Sequence, residues 1–270
     1  MTLHEPRLGQ GTWSMGDDPS RRKQEIAALR AGIELGMTLI DTAEMYGDGR
    51  AESLVGEAIA GRRDEVFLVS KVLPQNASRS GVVRACEASL QRLKTDRLDL
   101  YLLHWPGSHP LAETVRGFED LLAAGKIRAW GVSNLDLDEM RKLVSLRGGK
   151  ACATNQVLYN LSRRGIERDL LPWCHEHGMP IMAYSPVEQG RILGRKALRD
   201  IARDLDATPA QVALAWVLRQ KAVVAIPKAA RVAHVRENRK ALDLKLDAQA
   251  LAALDRAFPA PPGPVPLEVI

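Results

Sequence analysis

Eight short runs built for strands alternate with longer amphipathic segments along this 270-residue chain, and that alternation limits the fold more than any other feature. The runs are RLGQGTW (7–13), TLID (38–41), VFLVSK (66–71), LDLYLLH (98–104), IRAWGVS (127–133), ATNQV (153–157), PIMAYS (180–185) and VVAIPK (223–228). Between and after them the apolar residues recur at helical spacing, over 21–35, 52–60, 81–93, 111–124, 137–146, 165–177, 209–219 and 232–242, with one more such segment over 247–257. Strand–helix units repeated in this way predict parallel strands joined by right-handed crossovers. Eight of them predict an α/β fold of the closed (β/α)8 kind, a TIM barrel, as a single domain over 1–258. The Pro-rich remainder, 259–270, cannot be helical and is expected to be an extended strap or a disordered end.

An open doubly wound sheet is the structural alternative. Its glycine fingerprint is missing, because Gly9-Gln10-Gly11 runs into Thr12-Trp13 rather than into a helix-opening glycine. A chain of this length buries about three quarters of its unfolded surface and needs no disulfide or metal to fold. The net charge of +5 is spread without blocks, which suits an anionic small ligand or simply a solvated basic surface, and no arginine-rich helix points to nucleic acid. Cys86, Cys152 and Cys174 lack metal-like spacing and read as free thiols of a reducing compartment. Cys174-His175-Glu176-His177 does not read as a metal site, since adjacent helical residues do not converge on one point. There is no apolar leader and no run of about 18 apolar residues, so a cytoplasmic protein without membrane contact is expected.

The candidate strands end on polar residues: Asp41, Lys71, His104, Ser133, Gln156, Tyr184 and Lys228 all fall at or just past a strand end, where barrels of this kind carry their sites. Tyr46 follows Asp41 in DTAEMYG (41–47). Each residue has an ordinary reading alone: a surface aromatic, a solvated lysine, a packed loop histidine, a helix-capping aspartate. Together they hold the parts needed to protonate a carbonyl oxygen. A phenol can give the proton if a nearby ammonium draws its pKa down from about 10. Asp41 would keep Lys71 charged, and a neutral His104 would steer the carbonyl.

Several segments carry a family resemblance in chain order: GTW (11–13), DTAEMYG (41–47), SK ending at Lys71, DLYLLHWP around His104, GVSN (131–134), NQ (155–156), AYSP (183–186), and IPK with EN (226–238). The chain resembles the aldo-keto reductases, and its 153–174 stretch followed by AYSPVEQG looks like the bacterial branch that includes methylglyoxal reductases. The resemblance implies that Tyr46 is the general acid, that Asp41 and Lys71 tune it, and that His104 orients the substrate. It implies a nicotinamide site from Thr12, Trp13, Asp41, Ser133, Asn134 and Gln156, with Tyr184 stacked on the ring. Ser185 and backbone groups near Val187 and Gln189 would meet the pyrophosphate, and Lys228, Arg231, His234, Glu237 and Asn238 the adenine end. The substrate pocket would be walled by Trp13, Tyr46, His104 and Trp105.

Two departures bear on the cofactor, which is expected to be NADPH (NADP+) with some tolerance of NADH. Ala229 stands where the family often has serine, and His234 where it usually has arginine. A histidine can stack but lacks the forked donors of a guanidinium. Arg231 either replaces part of that charge or only solvates the start of the helix. Short loops after His104 and at the carboxyl end imply an open site for small aldehydes and α-dicarbonyls such as methylglyoxal, and a monomer is the family default. Two rival readings stand beside this one: a non-catalytic nicotinamide-binding regulatory subunit, and an aldolase-type barrel with Lys71 as a Schiff base.

Overall fold

The structure is a computed structural model that describes residues 7–270; the expected domain start at 1–6 lies outside the described residues. Among the described residues eight strands occur in chain order: β1 (Gln10–Gly11), β2 (Leu39–Asp41), β3 (Phe67–Val72), β4 (Leu100–Leu103), β5 (Trp130–Ser133), β6 (Cys152–Leu158), β7 (Ile181–Tyr184) and β8 (Val223–Ala225). Every neighbouring pair is parallel, in the order β1 to β8. Parallel bridges Leu8–Ala225 and Gly11–Lys228 join the last strand to the first and close the barrel. The closure depends on Gly11, where a Cβ would lie 2.7 Å from the Ile226 carbonyl oxygen.

The helices are α1 (Arg22–Glu34), α2 (Arg50–Ala58), α3 (Arg79–Leu93), α4 (Leu111–Ala123), α5 (Leu137–Ser145), α6 (Leu170–Glu176), α7 (Lys196–Asp204), α8 (Pro209–Leu218), α9 (Val232–Lys240) and α10 (Ala248–Ala257). Local chemistry sets several starts. Asp136 and Glu139 form a reciprocal capping box on α5, as Thr208 and Gln211 do on α8 ahead of Pro209. Two expectations need correction. The helix foreseen over 165–177 is a 3-10 turn at Gly165–Arg168 followed by α6, because Pro172 fits only a first turn and Asp169 caps a fresh start at Leu170. Helix α7 was not foreseen at all; its amino-terminal neighbour Arg195 makes no side-chain cap, so the usual start signal is missing.

Strand residues alternate between two cores. Leu39, Phe67, Val69, Leu100, Leu102, Met182, Val224 and Ile226 fill the barrel, while Ile40, Leu68, Tyr101, Leu103, Val132 and Ala183 pack outward against the helices. The same period of two carries each inward series one step on, from Leu39 to Asp41, Val69 to Lys71, Leu102 to His104 and Met182 to Tyr184. The apolar filling thus ends in a polar layer at the carboxyl end. Each buried Leu, Ile or Phe contributes about 1.5–3 kcal/mol, so the scaffold that holds this layer is stiff.

Beyond α10 the chain runs extended, without helix or strand. Arg168 Nε donates to the Pro261 carbonyl at 2.6 Å, Arg163 pairs with Glu268 at 2.6 Å, and Leu267 packs on the outer core. The segment is thus fastened to Arg163 and Arg168, in the stretch that follows β6. No helix among the described residues is long and apolar enough to cross a membrane.

Candidate active site

Tyr46 lies in the turn between β2 and α2. Its N–H donates to the Ala43 carbonyl at 3.1 Å, and the left-handed backbone of Gly47, Asp48 and Gly49 swings the chain into α2. Glu44 pins this turn to the next one by accepting from Leu73 N at 2.7 Å and from Asn76 Nδ2 at 3.0 Å. Sequence reasoning passed over Glu44, since one more acid in a motif gives no sign of its backbone partner.

Lys71, wholly buried on β3, is the hub. Its Nζ donates to Asp41 Oδ2 at 2.8 Å, to the Thr42 carbonyl at 2.8 Å and to the Tyr46 hydroxyl at 3.1 Å. The second Asp41 oxygen accepts from Gln156 Nε2 at 2.8 Å. Burial works against the Lys71 charge, but Asp41 and Tyr46 outweigh it and raise the pKa, so the ammonium persists. Burial also raises the Tyr46 pKa; Lys71 pulls it back, Asp41 adds to the rise, and the net position is above the ordinary 10.0. The expected downward shift is thus corrected: losing water costs a phenolate more than the paired lysine returns. Tyr46 is a protonated phenol in this site.

His104 follows β4, its N–H donating to the Val72 carbonyl at 2.9 Å. Burial, and then the Lys71 charge, push its pKa down to about 2, so the ring is neutral. Nδ1 is buried without a partner among the described residues. The ring meets Tyr46 edge-on at 5.7 Å between centroids and Trp105 at 4.7 Å, while Trp13 stands edge-on to Tyr46 at 5.0 Å. Trp13, 48% exposed, and Met45, 36% exposed, make an apolar rim.

A second polar group adjoins this one. Ser133 Oγ donates to the Gln156 carbonyl at 2.8 Å, Asn134 Nδ2 to the His104 carbonyl at 3.2 Å, and the Tyr184 hydroxyl to Asn134 Oδ1 at 3.0 Å. Thr12 Oγ1 donates to the Asp41 carbonyl at 2.9 Å. Ser133, Asn134, Gln156 and Tyr184 are therefore joined through Asp41 and His104 to the tetrad. Such a set holds both donors and acceptors, as a carboxamide requires, beside an aromatic ring. The chain then passes Ser185, Val187 and Gln189, with Ser185, Glu188 and Gln189 in left-handed backbone.

Lys228, Arg231 and His234 are exposed around the start of α9, whose first turn has no side-chain cap, an arrangement that suits a phosphate. Asn238 is buried on the same helix, and Glu237 accepts from Thr208 Oγ1 at 2.6 Å. The residues present fit a phosphorylated nicotinamide nucleotide from one end to the other. No group of three or more His, Cys, Asp or Glu among the described residues is arranged to hold a metal. Surface hollows of about 550 and 560 Å³ flank α3 and contain none of these side chains.

Comparison with known proteins agrees with this geometry. The pattern of the Aldo/keto reductase family matches residues 7–258. Methylglyoxal reductase YeaE of Escherichia coli (strain K12) is 58% identical over 270 residues, covering 98% of this chain and 95% of that protein. Methylglyoxal reductase DkgB of Escherichia coli O157:H7 is 34% identical over 259 residues, covering 93% of each. A crystal structure of an aldo/keto reductase from Klebsiella pneumoniae in complex with NADP and acetate superposes with a TM-score of 0.97 at 52% identity, covering 98% of this chain and 95% of that one.

Proposed function

This chain belongs to the aldo/keto reductase family, and from that premise we propose that it reduces small aldehydes and α-dicarbonyls, methylglyoxal among them, with NADPH as the reductant and Tyr46 as the proton donor. One observation carries the reading. Lys71 donates to the Tyr46 oxygen at 3.1 Å and thereby occupies it as an acceptor, which leaves the phenolic proton for a third group. The relatives named methylglyoxal reductase and the NADP-bound neighbour support the substrate class and the cofactor.

Bound NADPH supplies a hydride for the carbonyl carbon. The protein's part is to hold the carbonyl and to manage the proton. The neutral His104 ring, kept so by burial, offers a hydrogen bond to the carbonyl oxygen without competing for its proton. Tyr46 gives its proton to the oxygen as negative charge builds there, and the Lys71 ammonium stabilises the phenolate left behind. Asp41 balances Lys71 and, through Gln156, links that charge to the nicotinamide side of the site. Trp13 and Trp105 limit water and favour a compact substrate. Ser133, Asn134 and Gln156 would hold the carboxamide, Tyr184 would stack on the ring, and Lys228 and Arg231 would meet the 2′-phosphate.

The Lys71–Asp41 pair argues against a Schiff-base lyase, which needs a neutral, reachable amine where this one is charged and enclosed. A panel of aldehydes, α-dicarbonyls and steroid ketones assayed for NADPH consumption tests the proposal. Turnover confined to the first two classes is expected. A protein that binds NADPH but consumes none with any of them would contradict it.

A further inference from the structure

The loop that follows β7 is built unlike an ordinary surface turn. Three of its non-glycine residues, Ser185, Glu188 and Gln189, have φ of 47°, 51° and 52°, a region that side chains disfavour. Val187, at φ −116° and ψ 21°, precedes the left-handed pair. Such changes of hand turn successive backbone N–H groups towards one side, a concavity suited to anions. A backbone of this kind persists only if its surroundings over-determine it.

Glu188 supplies that restraint. Its side chain turns inward and is buried, as is its partner Asn160. Oε2 accepts from Asn160 Nδ2 at 2.7 Å; Oε1 accepts from Arg163 at 3.1 and 3.2 Å and from Arg191 Nη2 at 2.9 Å. Asn160 Nδ2 also donates to the Ser185 carbonyl at 3.0 Å, so one amide holds both ends of the left-handed stretch. Arg163 carries the network outward, its Nη1 meeting Glu268 Oε1 at 2.6 Å on the extended segment beyond α10.

We propose that Glu188 is a positioning residue that holds the loop of Ser185, Val187 and Gln189 in the shape that receives the cofactor pyrophosphate, and that Arg163 ties this latch to the C-terminal segment through Glu268. The proposal rests on the nicotinamide-nucleotide reading given above. Its energetic logic is pre-organisation: a loop that is already shaped does not have to be ordered when the nucleotide arrives. If loss of the latch left the receptive shape populated about one tenth of the time, apparent affinity would fall about tenfold.

The test compares wild-type protein with Glu188→Gln and Glu268→Gln. Amide hydrogen exchange over 185–191 is measured without nucleotide, and dissociation constants are measured for NADPH and for adenosine 2′-monophosphate, which carries no phosphate at the 5′ position. Glu188→Gln is expected to exchange faster in this loop and to bind NADPH about tenfold more weakly, with adenosine 2′-monophosphate unaffected. Glu268→Gln, which removes only the outer and partly exposed link, should move both readouts the same way by less. Unchanged exchange and NADPH affinity in Glu188→Gln would overturn the proposal, as would an equal loss for both nucleotides. Should Glu188→Gln fail to fold, Glu268→Gln decides by the same criteria. Wild-type protein that bound neither nucleotide would overturn the functional reading and the cofactor role of the latch together.

Discussion

Lys71 donates to the Tyr46 hydroxyl oxygen at 3.1 Å while Tyr46 itself stays a protonated phenol. The lysine is therefore not there to strip the proton in the resting site. It stabilises what remains once the proton has gone to substrate.

That relationship sets the pH behaviour. Reduction needs protonated Tyr46, whose pKa burial has moved above 10.0, so its rate stays level through neutral pH and falls only in the alkaline range. Alcohol oxidation needs the phenolate and should rise as pH rises. His104, pushed to about 2, adds no limb near the ordinary histidine value of 6.5. Rate profiles in both directions with saturating cofactor check this; an inflection in reduction near 6.5 that vanished in His104→Gln would contradict it.

The same depressed imidazole makes stability depend on acid. Between the folded value of about 2 and the ordinary 6.5 the unfolded chain binds the extra proton. Stability from this group is therefore complete above 6.5 and is lost progressively as pH falls towards 2. Denaturant unfolding at pH 7 and pH 5 should show a smaller acid loss for His104→Gln than for wild type. Equal losses would contradict the assignment.

Removing one partner of the enclosed Lys71–Asp41 pair leaves the other charge buried. Lys71→Met is expected to destabilise by about 3–5 kcal/mol, with Asp41 kept only its bond from Gln156. Adding Asp41→Asn to it should recover part of that loss. Chemical denaturation of the single and double variants measures the coupling, and strictly additive losses would be inconsistent with the pair.

At the adenine end, His234→Arg supplies the forked donors that the imidazole lacks. It should tighten NADPH about fivefold, the effect of roughly 1 kcal/mol at an exposed ion pair, and leave NADH unchanged. Titration with each nucleotide checks this. Equal tightening of both would move His234 away from the 2′-phosphate.

The barrel and the positions of Asp41, Lys71, His104, Ser133, Gln156 and Tyr184 were legible because a period of two carries the inward face of each strand straight into its polar end. Helix α7 was not, since Arg195 gives no capping signal, and the break before α6 was hidden by an apolar spacing that overlooked Pro172. The direction of the Tyr46 shift depends on how much water three separate segments exclude, a sum no local motif records. Glu188, between Val187 and Gln189, carries no local signal that sets it apart from a surface acid. Its burial arises from Asn160 and Arg163, over twenty residues earlier.

NADPH consumption with methylglyoxal, by wild-type protein and by Tyr46→Phe, tests the central claim most directly. The account predicts turnover by the wild type and a loss of about a hundredfold to ten-thousandfold in kcat for the variant, with NADPH still bound. A Tyr46→Phe protein that turned over as fast as wild type would contradict it and move the proton donor elsewhere in the site.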